Sequence, residues 1–430
     1  MPAQAGIHFS SKMDPRLRGG DDSFIGAMMS QIINTTCCIV GGGPAGIMLG
    51  FLLARRGIEV AVLEKHGDFF RDFRGDTIHP STLEVMNELG LLDDFLKRPH
   101  EETSILKAFI GDDEVTMADF SHLPTKCRFI AFMPQWDFLN FIAEKAKAYP
   151  SFKLLMQTEA KELIEESGKI IGVRAATPEG EIEIRAKLMV GADGRHSMTR
   201  EKSGFEIVNR GAPMDILWMR ISRMPADPHY TLGRVGSGKM LAMINRNTYW
   251  QCAYVIPKGG FEQVKAAGLE AFRRNLAEIA PFLGGRVNEL QSWDDIKLLT
   301  VAVDRLRKWQ RPGMLCIGDA AHAMSPIGGV GINLAIQDAI AAANILAAPL
   351  KAGKAGLRDL EAVQARREWP TRMTQAMQLF IQKHVITNVL QGTHKPRAPF
   401  VLNLLNKVPL LQRIPARLIG MGFRPEHVRK

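Results

Sequence analysis

Residues 35–64 constrain the fold more than any other stretch of the chain. Thr35 to Val40 is a short β-branched and apolar run, Gly41-Gly42-Gly43-Pro44-Ala45-Gly46 follows at once, and Ile47 to Arg56 reads as a helix closed by Gly57. Strand, glycine-rich turn and helix in that order are the context in which a GxGxxG motif cradles a dinucleotide. Gly41 permits the tight turn, Gly43 lets the backbone approach a pyrophosphate, and Gly46 lets the helix pack closely on the strand. The helix N-terminus adds unpaired N–H groups and a partial positive charge. A second strand, Glu59 to Leu63, delivers Glu64, 23 residues after Gly41, where an acid accepts the hydroxyls of an adenosine ribose. Lys65 follows it. Gly236-Ser237-Gly238 lacks a third glycine and a following helix, so one dinucleotide is held this way and any other docks elsewhere.

Near the other end, Gly318-Asp319-Ala320-Ala321-His322 leads through Ser325-Pro326-Ile327-Gly328-Gly329-Val330-Gly331-Ile332-Asn333 to Gln337-Asp338-Ala339. An acid at a strand end, a glycine-rich turn and the first turn of a helix can together hold a flavin and face its reactive ring. The helix continues to about Leu350. Between the two ends, Ala160 to Glu166, Ile170 to Ala176 and Glu181 to Val190 read as strands separated by turns. The last of them runs into Gly191-Ala192-Asp193-Gly194-Arg195-His196-Ser197, with Arg200 beyond. An acid flanked by glycines can bond a ligand while the backbone passes close by, and it can equally be a β-turn with a capping Asp. Residues 214–256 alternate in strand fashion and are rich in Trp, Tyr and Met, with a helix at about 261–280 and a strand near 296–303 beyond them. This is a separate sheet of the kind that supplies a substrate wall, and most of its aromatic side chains read as core.

Composition sets the outer limits. With 430 residues, 46% hydrophobic and 23% charged, the chain can build more than one core. The five cysteines form no CxxC pair, which favours reduced thiols in a cytoplasmic compartment and no zinc site. No apolar run approaches the roughly 18 residues of a bilayer span, and the N-terminus lacks the apolar centre of a secretory signal. Residues 1–27 show neither helix nor strand periodicity and read as a floppy extension, or as a misassigned start with the real one near Met28 or Met29. The formal net charge of +10 suggests nucleic acid at first sight, but from His394 onward eight Lys or Arg stand against one acid, so +7 of it lies in the tail.

Three motifs now stand in order: Gly41 to Gly46 with Glu64, Gly191 to Arg200, and Gly318 to Ala339. Their order and wide spacing resemble the class A flavoprotein monooxygenases, the family of p-hydroxybenzoate hydroxylase and the ubiquinone-pathway hydroxylases, over roughly residues 33–350. The resemblance implies an α/β fold: a Rossmann-like FAD-binding domain from residues 30–105, 126–205 and 300–350, an inserted, mainly antiparallel substrate domain from 106–125 and 206–299, and a helical region over 351–430. It implies that Gly41, Gly43, Pro44, Ala45 and Gly46 hold the FAD pyrophosphate, and that Glu64 and Lys65 meet the adenosine. Arg74 corresponds to an FAD-contacting arginine, and Gln135, opening the helical run Trp136 to Lys147, to a polar contact on the ribityl chain. Asp193 lies near the pyrophosphate and the route of the reduced nicotinamide. Gly318 and Asp319 meet the ribityl hydroxyls, and Pro326, Gly329, Gly331, Ile332 and Asn333 present a helix N-terminus to the flavin ring. His322 reads as structural. Ser325-Pro326 and Gly329-Val330-Gly331 depart from the Pro-Pro and Gly-Gln-Gly of relatives, close to the expected ring.

The implied reaction uses NADH or NADPH and O2 to hydroxylate or epoxidise an aromatic or polycyclic small molecule through a flavin C4a-hydroperoxide. Its chemistry is the cofactor's, so no Ser-His-Asp or metal constellation is needed. A phenolic substrate benefits from a base, and His79, Arg220 and Tyr254 are the pocket candidates. Rival readings are an oxidase or reductase of an isoprenoid or quinone-like substrate, a halogenase and a non-catalytic flavin-binding module. The halogenase signature Trp-x-Trp-x-Ile-Pro is met at Cys252 to Pro257 only in its last two residues. The partners are a substrate and O2, with no nucleic acid, in a monomer or homodimer. Leu357 to His384 reads as a helical run interrupted at Pro370. The basic, partly amphipathic tail beyond Pro396 suits either packing over the flavin domain or peripheral contact with the inner face of an anionic membrane.

Overall fold

A computed structural model describes residues 31–70, 77–392, 404 and 407–429. The N-terminal extension and Arg74 therefore lie outside the described residues.

The run ending in Cys37-Cys38-Ile39-Val40 forms the centre of a parallel sheet. The strand Gln31–Val40 pairs in parallel with Val60–Leu63 on one side and Gly180–Gly191 on the other. Phe152–Leu155 and Met314–Cys316 extend the sheet in parallel on its two sides, and Gln310–Arg311 adds an antiparallel edge beyond Met314–Cys316. Parallel strands covered on both faces read as continuous apolar runs, and Cys37 to Val40 are at most 5% exposed. Burial pushes the Cys37 thiol up to about 12, which keeps it inert. The antiparallel strands Glu159–Glu166 and Lys169–Thr177 join the first half of Gly180–Gly191.

A second sheet has seven strands in the order Lys297–Leu299, Met214–Ser222, Tyr249–Pro257, Lys239–Asn245, Leu232–Gly236, Ile105–Ile110 and Asp113–Asp119. All of its pairings are antiparallel except that between Leu232–Gly236 and Ile105–Ile110. Alternation gives it two faces. Leu217, Met219, Leu241, Trp250, Cys252 and Tyr254 pack on Phe272 and Leu276 of a covering helix. The single helix expected over 261–280 is two, Phe261–Ala266 and Leu269–Ile279, because Gly268 between them has φ +88°. The mixed α/β architecture with a parallel sheet, a mainly antiparallel sheet and a helical C-terminal region is the expected one.

The C-terminal region corrects two expectations. Leu357–Ile381 is one helix that passes through Pro370 without a break. Buried Thr374 donates its hydroxyl to the Pro370 carbonyl at 2.8 Å, and packing on the helix Gly331–Lys351 outweighs the bond that proline cannot make. The tail helix Pro409–Gly420 packs where the two domains meet and not over the parallel-sheet domain alone. Ala416 joins a cluster with Ala118, Phe120, Leu123, Ile130 and Phe132, the end of the helix meets His79 through the Ile419 carbonyl, and residues 424–429 run on along the first domain, where Arg56 bonds the Arg429 carbonyl at 2.6 Å. A third correction concerns length. Ile327–Lys351 has a mean hydropathy of 1.5 and is long enough to cross a bilayer, but 83% of its most apolar window is buried inside the protein, as suits a core helix.

Candidate functional site

Gly41 sits at φ +106°, and a Cβ there would stand 2.4 Å from the Ala192 carbonyl oxygen. Only glycine fits, and the two loops at the ends of neighbouring parallel strands touch. At Gly46 a Cβ would stand 1.9 Å from the Gly41 carbonyl oxygen, so the close approach is to the turn itself. Around Gly43 the nearest such contact is 4.0 Å away, leaving its backbone open. The helix Pro44–Arg55 has no side-chain cap and no acid in its first turn, so its N-terminal N–H groups and partial charge face outward. Glu64 accepts from the Gly42 and His66 N–H groups, each at 3.1 Å, which braces the turn against the second strand.

The helix Gly331–Lys351 presents a second N-terminus, again without a side-chain cap or a first-turn acid. Gly318, at φ +60°, joins the two helices: a Cβ there would lie 3.0 Å from Ala45 Cβ and 3.3 Å from Ala335 Cβ. The Gly318 N–H donates to Asp338 Oδ2 at 3.0 Å. Asp338 also meets His322 Nε2 at 2.5 Å and Arg367 Nε at 3.0 Å, and Arg367 continues to Glu426 at 3.2 Å. Burial pushes the Asp338 carboxyl up, but His322 and Arg367 outweigh it and hold it below the usual range. His322 is thus a buried brace of the turn.

Both helix N-termini open on a cavity of about 2080 Å³. Gly41, Gly43, Pro44, Ala45, Glu64, Lys65, Gln135, Asp193, Asp319, Pro326, Gly329, Gly331 and Ile332 all line it. Gly46 and Gly318 stand behind the wall as packing residues. Asp193 takes the capping role that its sequence allows: its carboxylate accepts from Ser197 Oγ at 2.5 Å, Thr199 Oγ1 at 2.8 Å and Thr199 N at 3.0 Å. Asp319 lies 3.8 Å from Arg195, an ion pair that joins the two loops at the cavity.

The structure does not bring every predicted residue to the cavity. The Asn333 side chain points into protein, donating to the Thr77 carbonyl at 3.1 Å and accepting from His79 N at 2.9 Å and Thr82 Oγ1 at 2.7 Å. What Asn333 offers the site is its backbone. Val330 is buried and absent from the cavity wall, so the missing glutamine side chain leaves no gap there. Ser325 does line the cavity, but its hydroxyl accepts from Gln382 at 2.6 Å, and Gln378 bonds the Ser325 and Ile327 carbonyls at 2.8 and 2.9 Å. Sequence reasoning missed these glutamines. Gln375, Gln378 and Gln382 recur at helical spacing on the buried face of an otherwise polar helix, a pattern that marks a hydrogen-bonding seam.

All three candidate bases are misplaced. His79 is 1% exposed, its Nδ1 bonds the Ile419 carbonyl at 2.6 Å, and burial lowers its pKa to about 4. Tyr254 faces the covering helix, its ring 5.2 Å from that of Phe272, and burial pushes it up to about 12. Its strand neighbours Ala253 and Val255 face the cavity instead. Arg220 lies beyond the cavity, over the Tyr249 ring at 5.1 Å.

The model described as FAD binding domain matches residues 34–377. The 6-methylpretetramide 4-monooxygenase of Streptomyces rimosus is 30% identical over 403 residues, covering 92% of this chain and 94% of that protein. Two solved structures share the fold. OxyS anhydrotetracycline hydroxylase from Streptomyces rimosus has a TM-score of 0.69 at 22% identity, over 93% of this chain and 78% of that one. The p-nitrophenol 4-monooxygenase PnpA of Pseudomonas putida DLL-E4 has a TM-score of 0.69 at 19% identity, over 92% of this chain and 100% of that one. The chain belongs to the FAD-binding-domain family, among its FAD-dependent monooxygenases.

Proposed function

We propose that the chain oxygenates an aromatic or polycyclic small molecule at the expense of NADH or NADPH, with FAD held along the wall from Gly41 to Ile332. The observation that carries this reading is the pair of uncapped helix N-termini meeting at Gly318 on a cavity that continues onto an apolar sheet face. Gly41, Gly43, Pro44 and Ala45 offer backbone to the pyrophosphate, and Glu64 and Lys65 flank the adenosine. Gln135 and Asp319 meet the ribityl chain. Pro326, Gly329, Gly331, Ile332 and the Asn333 backbone face the flavin ring. Gly46, Gly318 and Asp193 hold that cradle in shape.

Bound FAD supplies the redox chemistry by which two electrons from a nicotinamide and one O2 put oxygen into an organic molecule. The residues do the rest. The N-terminus of Gly331–Lys351 stabilises negative charge without a titrating side chain, and the apolar sheet face with the segment 380–392 over it excludes water. None of His79, Arg220 and Tyr254 serves as a base.

Purified protein mixed with FAD, then with NADH or NADPH and a panel of phenols, quinone precursors and polyketides, tests the reading. Substrate-stimulated nicotinamide oxidation with one atom of 18O2 in the product is the expected result. Stimulated oxidation without label in product would favour the oxidase or reductase reading, and a chain that holds no FAD would remove the enzyme reading altogether.

A second reading concerns the tail. Leu410 and Ile414, 62% and 58% exposed, share one face of Pro409–Gly420 with the exposed Arg413 and Arg417. That supports peripheral contact with an anionic membrane. Co-sedimentation with phosphatidylglycerol vesicles should be lost in a Leu410→Glu, Ile414→Glu variant; equal sedimentation of both proteins would sink it.

A further inference from the structure

Register across the second sheet brings four small residues into line. Ala108 pairs with Gly233, Gly233 with Ala242, and Ala242 with Ala253. The row ends against Trp218, paired with Ala253, and against Val115, paired with Ala108. Two residues along each strand, the parallel row Ile110, Val235, Met240, Val255, Ile216 is bulky throughout. On the other side stand Leu106, Thr231 and Ile244. The small row is therefore the floor of a trough across the strands, bounded by larger side chains on both sides and both ends.

The trough belongs to the cavity wall: Ala108, Gly233, Ala242 and Ala253 all line it. Its floor is open. Ala242 is exposed although it lies mid-strand near the centre of a seven-stranded sheet, and a Cβ added to Gly233 would meet only Ala108 Cβ, at 3.5 Å. An uncovered apolar floor inside a cavity is the kind of surface a ligand covers. With strands about 4.8 Å apart, four residues in a row span about 14 Å, the length of roughly three to four fused six-membered rings. One end is also marked. Ile327 of the glycine-rich loop packs on the cluster of Met214, Ile216, Ala253 and Val255. The Ala253 end of the trough thus meets the loop that leads into the helix Gly331–Lys351, and the Ala108 end lies three strands away.

We infer that the substrate is a linear, flat, fused-ring molecule lying with its long axis across the strands, and that its terminal ring at the Ala253 end is the one oxygenated. Ala108, Gly233 and Ala242 act as the ruler that sets its length. The inference rests on the monooxygenase reading and names the substrate class of that same cavity. The floor residues are specificity determinants with no part in holding FAD.

A ladder of probes tests it on the FAD-loaded enzyme: phenol, 1-naphthol, 1-hydroxyanthraquinone and a linear four-ring hydroxynaphthacenequinone, with Kd read from flavin absorbance or probe fluorescence. Affinity of the wild type should rise with ring number. Ala108→Phe, which closes the far end, should raise Kd at least tenfold for the four-ring probe and less than twofold for 1-naphthol. Ala242→Phe, which blocks the middle, should raise Kd tenfold for every probe larger than phenol. FAD content with circular dichroism reports whether each variant folds. Product from the four-ring probe should carry the new oxygen on a terminal ring and not on its inner non-quinone ring. Equal weakening of all probes by both Phe variants, or no weakening by either, would overturn the ruler. A chain that takes no FAD would instead overturn the functional reading, and probe binding to that same chain would still report on the trough.

Discussion

The two ends of the cavity are built from different material. At the nucleotide end backbone N–H groups at two helix N-termini face the cavity, and side chains such as Asp338, Glu64 and Asp193 brace the turns that carry them. At the sheet end the wall is side chains, projecting from alternate strand positions. The difference decides how much substitution each end tolerates. Where the backbone is the ligand surface, an added methylene collides with another backbone atom, as at Gly41 and Gly46. Where side chains are the surface, an added methylene changes only which molecule fits.

The sharpest way to break this contrast is to remove the brace that carries most charge. Asp338→Ala takes the acceptor from the Gly318 N–H and from His322, and leaves Arg367, 1% exposed, with Glu426 as its remaining buried carboxylate. Removing one partner of a buried ion pair costs about 3–5 kcal/mol. Denaturant unfolding should show that loss together with weakened FAD retention. A cost below about 1 kcal/mol would mean that the turn stands without its brace.

The joint between the ends should respond to pH. His79 carries its pKa at about 4 when folded, against about 6.5 in an unfolded chain, because burial favours the neutral ring. The unfolded chain therefore binds the proton first as pH falls. The stabilisation is fully present above about pH 6.5 and is lost as pH drops from there toward 4, by up to about 3 kcal/mol. Unfolding midpoints from pH 7.5 to 4.5 should fall in the wild type and fall less in His79→Gln. Parallel curves would place the acid sensitivity elsewhere.

This division also explains what could be read from the sequence. Gly41, Gly46 and Gly329 are legible because backbone geometry restricts those positions to glycine, and Glu64 and Asp319 because each follows a strand at a fixed distance from a glycine turn. The alternation of residues 214–256 announced a two-faced sheet, but which face meets the cavity depends on the helix Leu269–Ile279, which packs against one of them. That is why the sequence alone points to Tyr254 as a pocket residue and not to Ala253. His79 and Asn333 were misjudged for a related reason: each bonds a partner from a distant part of the chain, Ile419 and Thr77, that local pattern does not reveal. The row from Ala108 to Ala253 needs the register of four strands, and no single segment contains it.

A smaller effect sharpens the nucleotide side. Gly46→Ala places a Cβ where the Gly41 carbonyl oxygen would be 1.9 Å away, so the helix Pro44–Arg55 must shift. Overpacking of this kind costs about 1–3 kcal/mol, and FAD content of the purified protein should fall well below one per chain. Full FAD content at unchanged stability would show that the turn can move.

The smallest effect is expected at Tyr254, and it tests the sheet side from behind. The ring packs at 5.2 Å from Phe272 on the face away from the cavity, in a cluster with Leu217 and Leu241. Tyr254→Phe keeps the ring and removes only a hydroxyl whose pKa burial has raised to about 12, above the range in which it could exchange protons near neutrality. Stability should change by less than about 1 kcal/mol, because no hydrogen bond is lost that burial depends on. Substrate-stimulated nicotinamide oxidation should stay within twofold in both kcat and KM. A large fall in kcat at unchanged KM would instead bring the hydroxyl to the reacting atoms. The two faces of this sheet would then not be separate surfaces, and the contrast between the cavity ends would lose its sheet-side half.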